Sequence, residues 1–176
     1  MRTISYFFVA GAFILFSAFT FVASTTWKVS DNYSVKFAGT DAEGIFKTLK
    51  GDVSFDQNEL SSSKFSFTID VSSINTGNGM KNKHAVSDKW FDAKKYPNIT
   101  FSSSKIVADD NQFKVTGTMT IHGVSKQVTI PFTFKNNTIE AEFSVNRMDY
   151  KVGTMEGMSK KVSDKISLDV TIPLTK

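Results

Sequence analysis

Side chains able to do chemistry are few and scattered in this chain. It has no cysteine and two histidines, His84 and His122. Without cysteine there is no disulfide framework, thiolate zinc site, thiol nucleophile or acylated lipoprotein cysteine. Two histidines cannot make a three-histidine metal site within one chain. A hydrolase needs a nucleophile, a base and an orienting group within mutual reach. Here the serines fall mostly at exterior positions of extended segments, the carboxylates stand mostly alone, and Asp109-Asp110 lies in a turn with Asn111. The residues therefore point to no catalytic set, no metal site and no cofactor. His122, beside Gly123, reads as a turn residue. The sequons Asn32-Tyr33-Ser34, Asn98-Ile99-Thr100 and Asn136-Asn137-Thr138 matter only in a eukaryotic secretory host.

What remains to explain is the apolar content. Of 176 residues 40% are hydrophobic and 13% aromatic, with 17 phenylalanines, which excludes a disordered chain and calls for a core. The first 24 residues stand apart. Arg2 gives a short positive start, Ile4 to Val22 is uncharged and apolar, and Val22-Ala23-Ser24 offers the small residues of a cleavage site. We expect a signal peptide over 1–24, cut near Ser24, and an exported domain over 25–176. An uncleaved anchor is the rival reading, weakened by Ser5, Gly11, Ser17 and Thr20 and by the missing basic stop after Val22. Removing the leader takes one base and no acid, so the formal charge falls from +4 to +3. The lysines are spread along the chain among acids, which describes a solvated exterior and no nucleic-acid surface.

The mature chain alternates with period two. Odd positions from Ile45 run Ile45, Leu49, Val53 and Phe55, followed by Phe65, Phe67, Ile69 and Val71, then Ile99 and Phe101. Phe113, Val115, Gly117, Met119 and Ile121 continue the pattern, as do Val128 to Phe134, Ile139 to Val145 and Ile166 to Leu174. With Trp27 to Phe37 this predicts about eight antiparallel strands, each with one wet and one dry face. Short links at Asp109-Asp110-Asn111, His122-Gly123-Val124-Ser125 and Lys135-Asn136-Asn137-Thr138 make neighbours pair as a meander. Eight such strands close into a barrel or fold into a sandwich, and closure removes exposed edges. Pro131 and Pro173 each lack a ladder donor, so bulges or strand margins are expected there.

One stretch, Ser72 to Asn98, is too long for a hairpin and falls between the third and fourth strands. Ser87 is placed to cap a short helix starting at Asp88 and carrying Trp90 and Phe91. Met80 and His84, four apart, fit one helical face. Pro97 turns Tyr96 out of helix. The insertion reads either as a plug completing the core or as a lid over a barrel mouth.

The run Gly79-Met80-Lys81-Asn82-Lys83-His84-Ala85-Val86-Ser87-Asp88-Lys89-Trp90-Phe91-Asp92, then Tyr96-Pro97-Asn98-Ile99-Thr100-Phe101, resembles the signature of the YceI-like family. So do Gly117-Thr118-Met119-Thr120-Ile121-His122-Gly123, Ser72-Ser73-Ile74-Asn75-Thr76 and the early Trp27, Asp31 and Ser34-Val35-Lys36-Phe37. The resemblance covers essentially the whole mature chain. It departs at Tyr33, where a histidine is usual, at Ala38-Gly39-Thr40, which lacks a second early histidine, and at Ala85, where leucine is usual.

The resemblance implies an all-β, eight-stranded antiparallel, lipocalin-like barrel with a short helical insertion between strands 3 and 4. It also implies an exported bacterial protein, periplasmic or extracellular, that binds a long isoprenoid chain inside the barrel without catalysis. For such a lipid ligand a transient membrane contact is a further expectation. A packed interaction module without lipid is the alternative, and a lipid isomerase or cyclase a weaker one. Burial of a methylene contributes about 0.8 kcal/mol, against about 4–15 kcal/mol for association, so only a long chain binds well. The expected lining is Phe67, Ile69, Phe101, Met119 and Phe132, with Trp90 and Phe91 closing over the ligand. Each has ordinary core packing as its alternative. Asn82, Lys83 and His84 are the expected polar contacts at the mouth, where a hydroxyl, quinone oxygen or phosphate would lie.

Overall fold

The computed structural model describes residues 26–153 and 157–176, so the expected leader and its cleavage site lie outside the described residues. Among the described residues eleven strands form one sheet: β1 (Thr26–Val29), β2 (Ser34–Gly39), β3 (Ala42–Phe46), β4 (Leu49–Ser54), β5 (Lys64–Asp70), β6 (Ile74–Asn75), β7 (Asn98–Asp109), β8 (Gln112–Ile121), β9 (Val124–Lys135), β10 (Thr138–Asn146) and β11 (Lys165–Thr175). The order β1-β4-β5-β7-β8-β9-β10-β11, with β1 also paired to β11, closes an eight-stranded antiparallel barrel. The remaining short strands continue three of these. β2 extends the run of β1 along β11, β3 precedes β4 and pairs with β2, and β6 follows β5 and pairs with β3. The eight expected strands are therefore present, with the first three each broken once.

The breaks occur where three neighbouring runs bend together. The Tyr33 hydroxyl donates to the Lys47 carbonyl at 2.7 Å and accepts the Leu49 N–H at 3.0 Å. Ser73 receives the Lys47 N–H on its carbonyl at 3.1 Å and the Thr48 N–H on its hydroxyl at 3.0 Å. Backbone groups released by the bend are thus satisfied again. The break also changes the side-chain parity. Phe46 and Leu49 are both buried, so Ile45 turns outward at 37% exposure. The dry odd-numbered series expected from Ile45 therefore starts only at Leu49.

The turns follow their residue types. His122 and Gly123 have φ of 51° and 73°, and Asn136 and Asn137 have 49° and 58°. Two successive positive φ values match the right-handed twist of hairpin strands, and Asn and Gly adopt them most readily. Val124 and Ser125, expected in the link, already belong to β9. Pro131 pairs with Lys114 on the β8 side, whereas β9–β10 pairing runs only from Lys135 to Thr133. Pro173 lies where β11 passes from partner β2 to partner β1. Each proline stands where a neighbouring ladder stops, and its missing donor costs little there.

The helix of the insertion starts at Gly79 and ends before Ser87, so Ser87 does not cap a helix at Asp88 as expected. Helix α1 spans Gly79–Ala85, with the Asn78 side chain accepting the N–H groups of Met80 and Lys81. Ser87 instead donates its hydroxyl to the His84 carbonyl at 2.7 Å and so closes α1. Trp90 and Phe91 follow in turns, in no helix.

One end of the barrel is filled by phenyl rings. Phe55 packs against Phe65, Phe113, Phe132 and Phe134 with centroids 5.0–5.7 Å apart. Trp27 closes the same end and donates its indole N–H to the Phe55 carbonyl at 3.1 Å. The other end carries the insertion and the β10–β11 connection. Among the described residues no helix is long and apolar enough to cross a membrane.

Candidate functional site

Between the phenyl-filled end and the insertion, inward side chains leave space. A lower cavity of about 100 Å³ is lined by Phe67, Ile69, Phe101, Met119 and Phe132, among other apolar residues. All five residues expected from the alternation thus meet around one space. Phe101 lies directly between its ladder partners Phe67 on β5 and Met119 on β8. Dry positions without a side chain make room for these rings. A methyl group at Gly51 would collide with Phe67, and one at Gly117 would lie within 3 Å of Phe101.

An upper cavity of about 110 Å³ follows, lined by Phe46, Trp90, Phe91, Val145, Arg147 and Tyr150. Ile99 lines both cavities and stands between them. Above lies a mouth cavity of about 360 Å³, which shares Phe37, Ala42, Ile74, Trp90, Phe91 and Val162 with the upper one. Trp90 and Phe91 are half-buried and form the floor of the mouth and the roof of the interior at once. A plug and a lid were alternatives in sequence; the pair occupies a position that serves as both.

The polar mouth residues differ from those expected. His84 lines the mouth, together with Lys81, Asp41, Thr76 and Lys161. Asn82 does not line it. Its side-chain oxygen accepts the Thr76 N–H and hydroxyl, both at 2.8 Å, and ties the start of the insertion to α1. Lys83 is exposed and also lies off the cavity. A helix turns 100° per residue, so Lys81 and His84, three apart, share the face that Asn82 and Lys83 leave.

Arg147 is the residue that sequence reasoning missed. It is 5% exposed and lines the upper cavity. Its Nε donates to the Ser163 carbonyl at 3.1 Å, Nη1 to Val152 at 2.9 Å, and Nη2 to Ser159 and Val162 at 3.1 Å. Asp164 pairs with Nη2 at 3.2 Å, and the guanidinium lies 5.5 Å from the Trp90 ring centroid. Arg147 thereby holds the β10–β11 connection over the cavity and joins it to the insertion. A planar fork of five donors can do this and an ammonium cannot. The available signal was its rarity: it is the one arginine after Arg2 in a chain that otherwise uses lysine. Beside it, burial raises the Tyr150 phenol above the ordinary tyrosine range, and the nearby Asp149 carboxylate adds to the rise.

These features define a closed antiparallel barrel, apolar inside, sealed at one end by its own aromatic rings and opening at the other through a polar mouth. The chain belongs to the YceI-like domain family, whose model matches residues 17–174. A UPF0312 protein of Vibrio campbellii is 37% identical over 107 residues, 60% of this chain and 57% of that protein, so the match spans little more than half of that relative. Protein YceI of Escherichia coli O157:H7 is 29% identical over 133 residues, 70% of each chain. The crystal structure of Burkholderia cenocepacia BcnA matches at a TM-score of 0.78 and 30% identity, covering 84% of this chain and 99% of that one. A polyisoprenoid binding domain from Saccharophagus degradans matches at 0.63 over 85% of this chain and 97% of its own; at 16% identity the likeness is one of fold.

Proposed function

We propose that this protein is exported and binds a long isoprenoid or similar chain lipid inside the barrel, sequestering or carrying it without chemical change. The observation that supports this is the succession of cavities, from polar mouth to apolar interior, joined by shared lining residues. Apolar walls reward each buried methylene, and a polar rim leaves a head group in water. The apolar leader and the polyisoprenoid binding domain with the same fold support the reading.

The inner cavities are small. A cavity of about 150 Å³ holds a benzene-sized molecule. A long chain must therefore push Ile99 and its neighbours aside as it enters. This size also favours a second reading, a packed module that holds no lipid.

Native mass spectrometry of the protein purified from its own membranes separates the two. A co-purifying chain lipid is expected. Phe101→Trp fills the lower cavity and should weaken binding of that lipid at least tenfold while the fold persists. Ligand-free protein that takes up no prenyl lipid would leave the packed module standing. Unchanged affinity in folded Phe101→Trp would move the site out of the lower barrel.

A further inference from the structure

The barrel wall is interrupted on one side. Between β9 and β10 the register runs from Lys135 and Thr138 to Thr133 and Glu140, and among the described residues none joins the two strands beyond it. Each strand is held along its other edge, β9 by β8 as far as Val124 and β10 by β11 as far as Asn146. A seam therefore runs between two firm edges along residues 141–146 of β10, about 20 Å at the rise of a strand. Pro131 explains where it begins. The two-residue turn makes Lys135 and Thr138 a hydrogen-bonded pair, so Thr133, Pro131 and Thr129 turn their backbone groups toward β10. Pro131 has no N–H, and the ladder stops before it.

Lys126 marks the seam as open to water. Its ladder partner on β8 is Met119, which is buried and lines the lower cavity. Cross-strand partners share a face, so Lys126 occupies a dry position, yet its side chain is 42% exposed. A charge on the dry side is a device of uncovered strand edges. Its ammonium lies 3.8 Å from the carboxylate of Asp149, in the connection after β10. Among the described residues this is the one ion pair that crosses the seam. Both inner cavities lie behind it: Ile130, Ala141 and Phe143 line the lower one, Val145 and Tyr150 the upper.

We propose that this seam is a lateral portal through which an apolar chain enters the two cavities side-on, and that Lys126 and Asp149 latch it. This rests on the reading that the barrel holds a chain lipid, and adds the route by which the chain arrives. The mouth is the more tightly held route, because its floor is pinned. The Trp90 N–H donates to the Ser87 carbonyl at 3.1 Å, the Phe91 N–H donates to the Ala85 carbonyl at 3.0 Å, and the Arg147 guanidinium lies 5.5 Å from the Trp90 ring centroid. A chain entering there must also pass Ile99 end-on to reach the lower cavity. Parting β9 from β10 beyond Glu140 breaks no ladder bond and one exposed ion pair.

The chain has no cysteine, so a bridge across the seam can be built from two introduced thiols. Thr129→Cys with Ser144→Cys replaces exposed side chains that a continued register would set opposite each other. A reducible bis-methanethiosulfonate crosslinker joins them, and circular dichroism checks the fold. Uptake of geranylgeraniol, followed by stopped-flow tryptophan fluorescence, is expected to slow at least tenfold in the bridged protein and to recover on reduction. The same bridge between Thr118→Cys and Gln127→Cys, exposed ladder partners on β8 and β9, should leave the rate unchanged. Lys126→Gln should speed uptake about two- to fivefold, the size of one exposed ion pair. Undiminished uptake in the seam-bridged protein would overturn the portal in favour of the mouth and leave lipid binding intact. Equal slowing by the two bridges would overturn it as a general stiffening of the wall. An unchanged rate in Lys126→Gln would overturn the latch. Geranylgeraniol that fails to bind the unbridged protein would overturn the lipid reading and this inference with it.

Discussion

Arg147 shows how one residue can organise a site without being an obvious reactive group. Its guanidinium meets the backbone carbonyls of Val152, Ser159, Val162 and Ser163 and the Asp164 carboxylate, all from its own connection, while its face lies over Trp90 from the other. Arg147→Lys keeps the charge and loses the fork, so several carbonyls lose their donor. We expect a loss of about 2–3 kcal/mol, read as a lowered denaturant midpoint, with Trp90 fluorescence shifting as its cover loosens. Tyr150, a few residues on, gives a pH signature. Its phenol is raised in the folded state, so the folded protein holds this proton at a pH where the unfolded chain has released it. The associated stability is fully present below the ordinary tyrosine range, near pH 10, and is lost as pH rises through the raised value. Melting temperatures measured across that window should fall more steeply for the unaltered protein than for Tyr150→Phe, and equal slopes would show that this phenol contributes nothing.

At the scale of elements, the bend through β1/β2, β3/β4 and β5/β6 is what departs from simple alternation. Its pivot is the Tyr33 hydroxyl, donor to Lys47 and acceptor from Leu49. Tyr33→Phe retains the ring and strands both backbone groups. A cost of about 1–2 kcal/mol is expected, with faster amide exchange at Leu49; protection unchanged at that amide would place the pivot elsewhere. The alternation itself was readable because period two is local: each side chain's face follows from its neighbours'. The bend was not, because the group that satisfies Lys47 and Leu49 lies fourteen or more residues earlier in the chain. The helix shows the same division. Asn78 and Ser87 are both acceptable caps by type, and the choice between them came from where the Ser87 hydroxyl found an acceptor.

For the whole molecule the question is how the interior admits a chain. Ile99 is the residue common to the lower and upper cavities. Ile99→Ala should join them, costing about 2 kcal/mol of stability, at the low end for such a truncation because the site already adjoins space. If a chain lipid must displace this side chain, its affinity should rise in Ile99→Ala, since less rearrangement accompanies binding. Lower affinity in the folded variant would mean that Ile99 is a contact and no barrier. The seam between β9 and β10, unpaired beyond Thr133 and Glu140, is a second place where the wall can give.

Strand number, the meander, the hairpin turns and the five dry residues of the lower cavity were all legible in the order of residues, because alternation and turn chemistry act between near neighbours. The placing of Asn82 and Lys83 away from the mouth, the role of Arg147 and the size of the interior were not. Empty space belongs to no residue: it is the difference between the volume a closed sheet encloses and the volume its inward side chains fill, and that difference exists only once strands distant in the chain have come together.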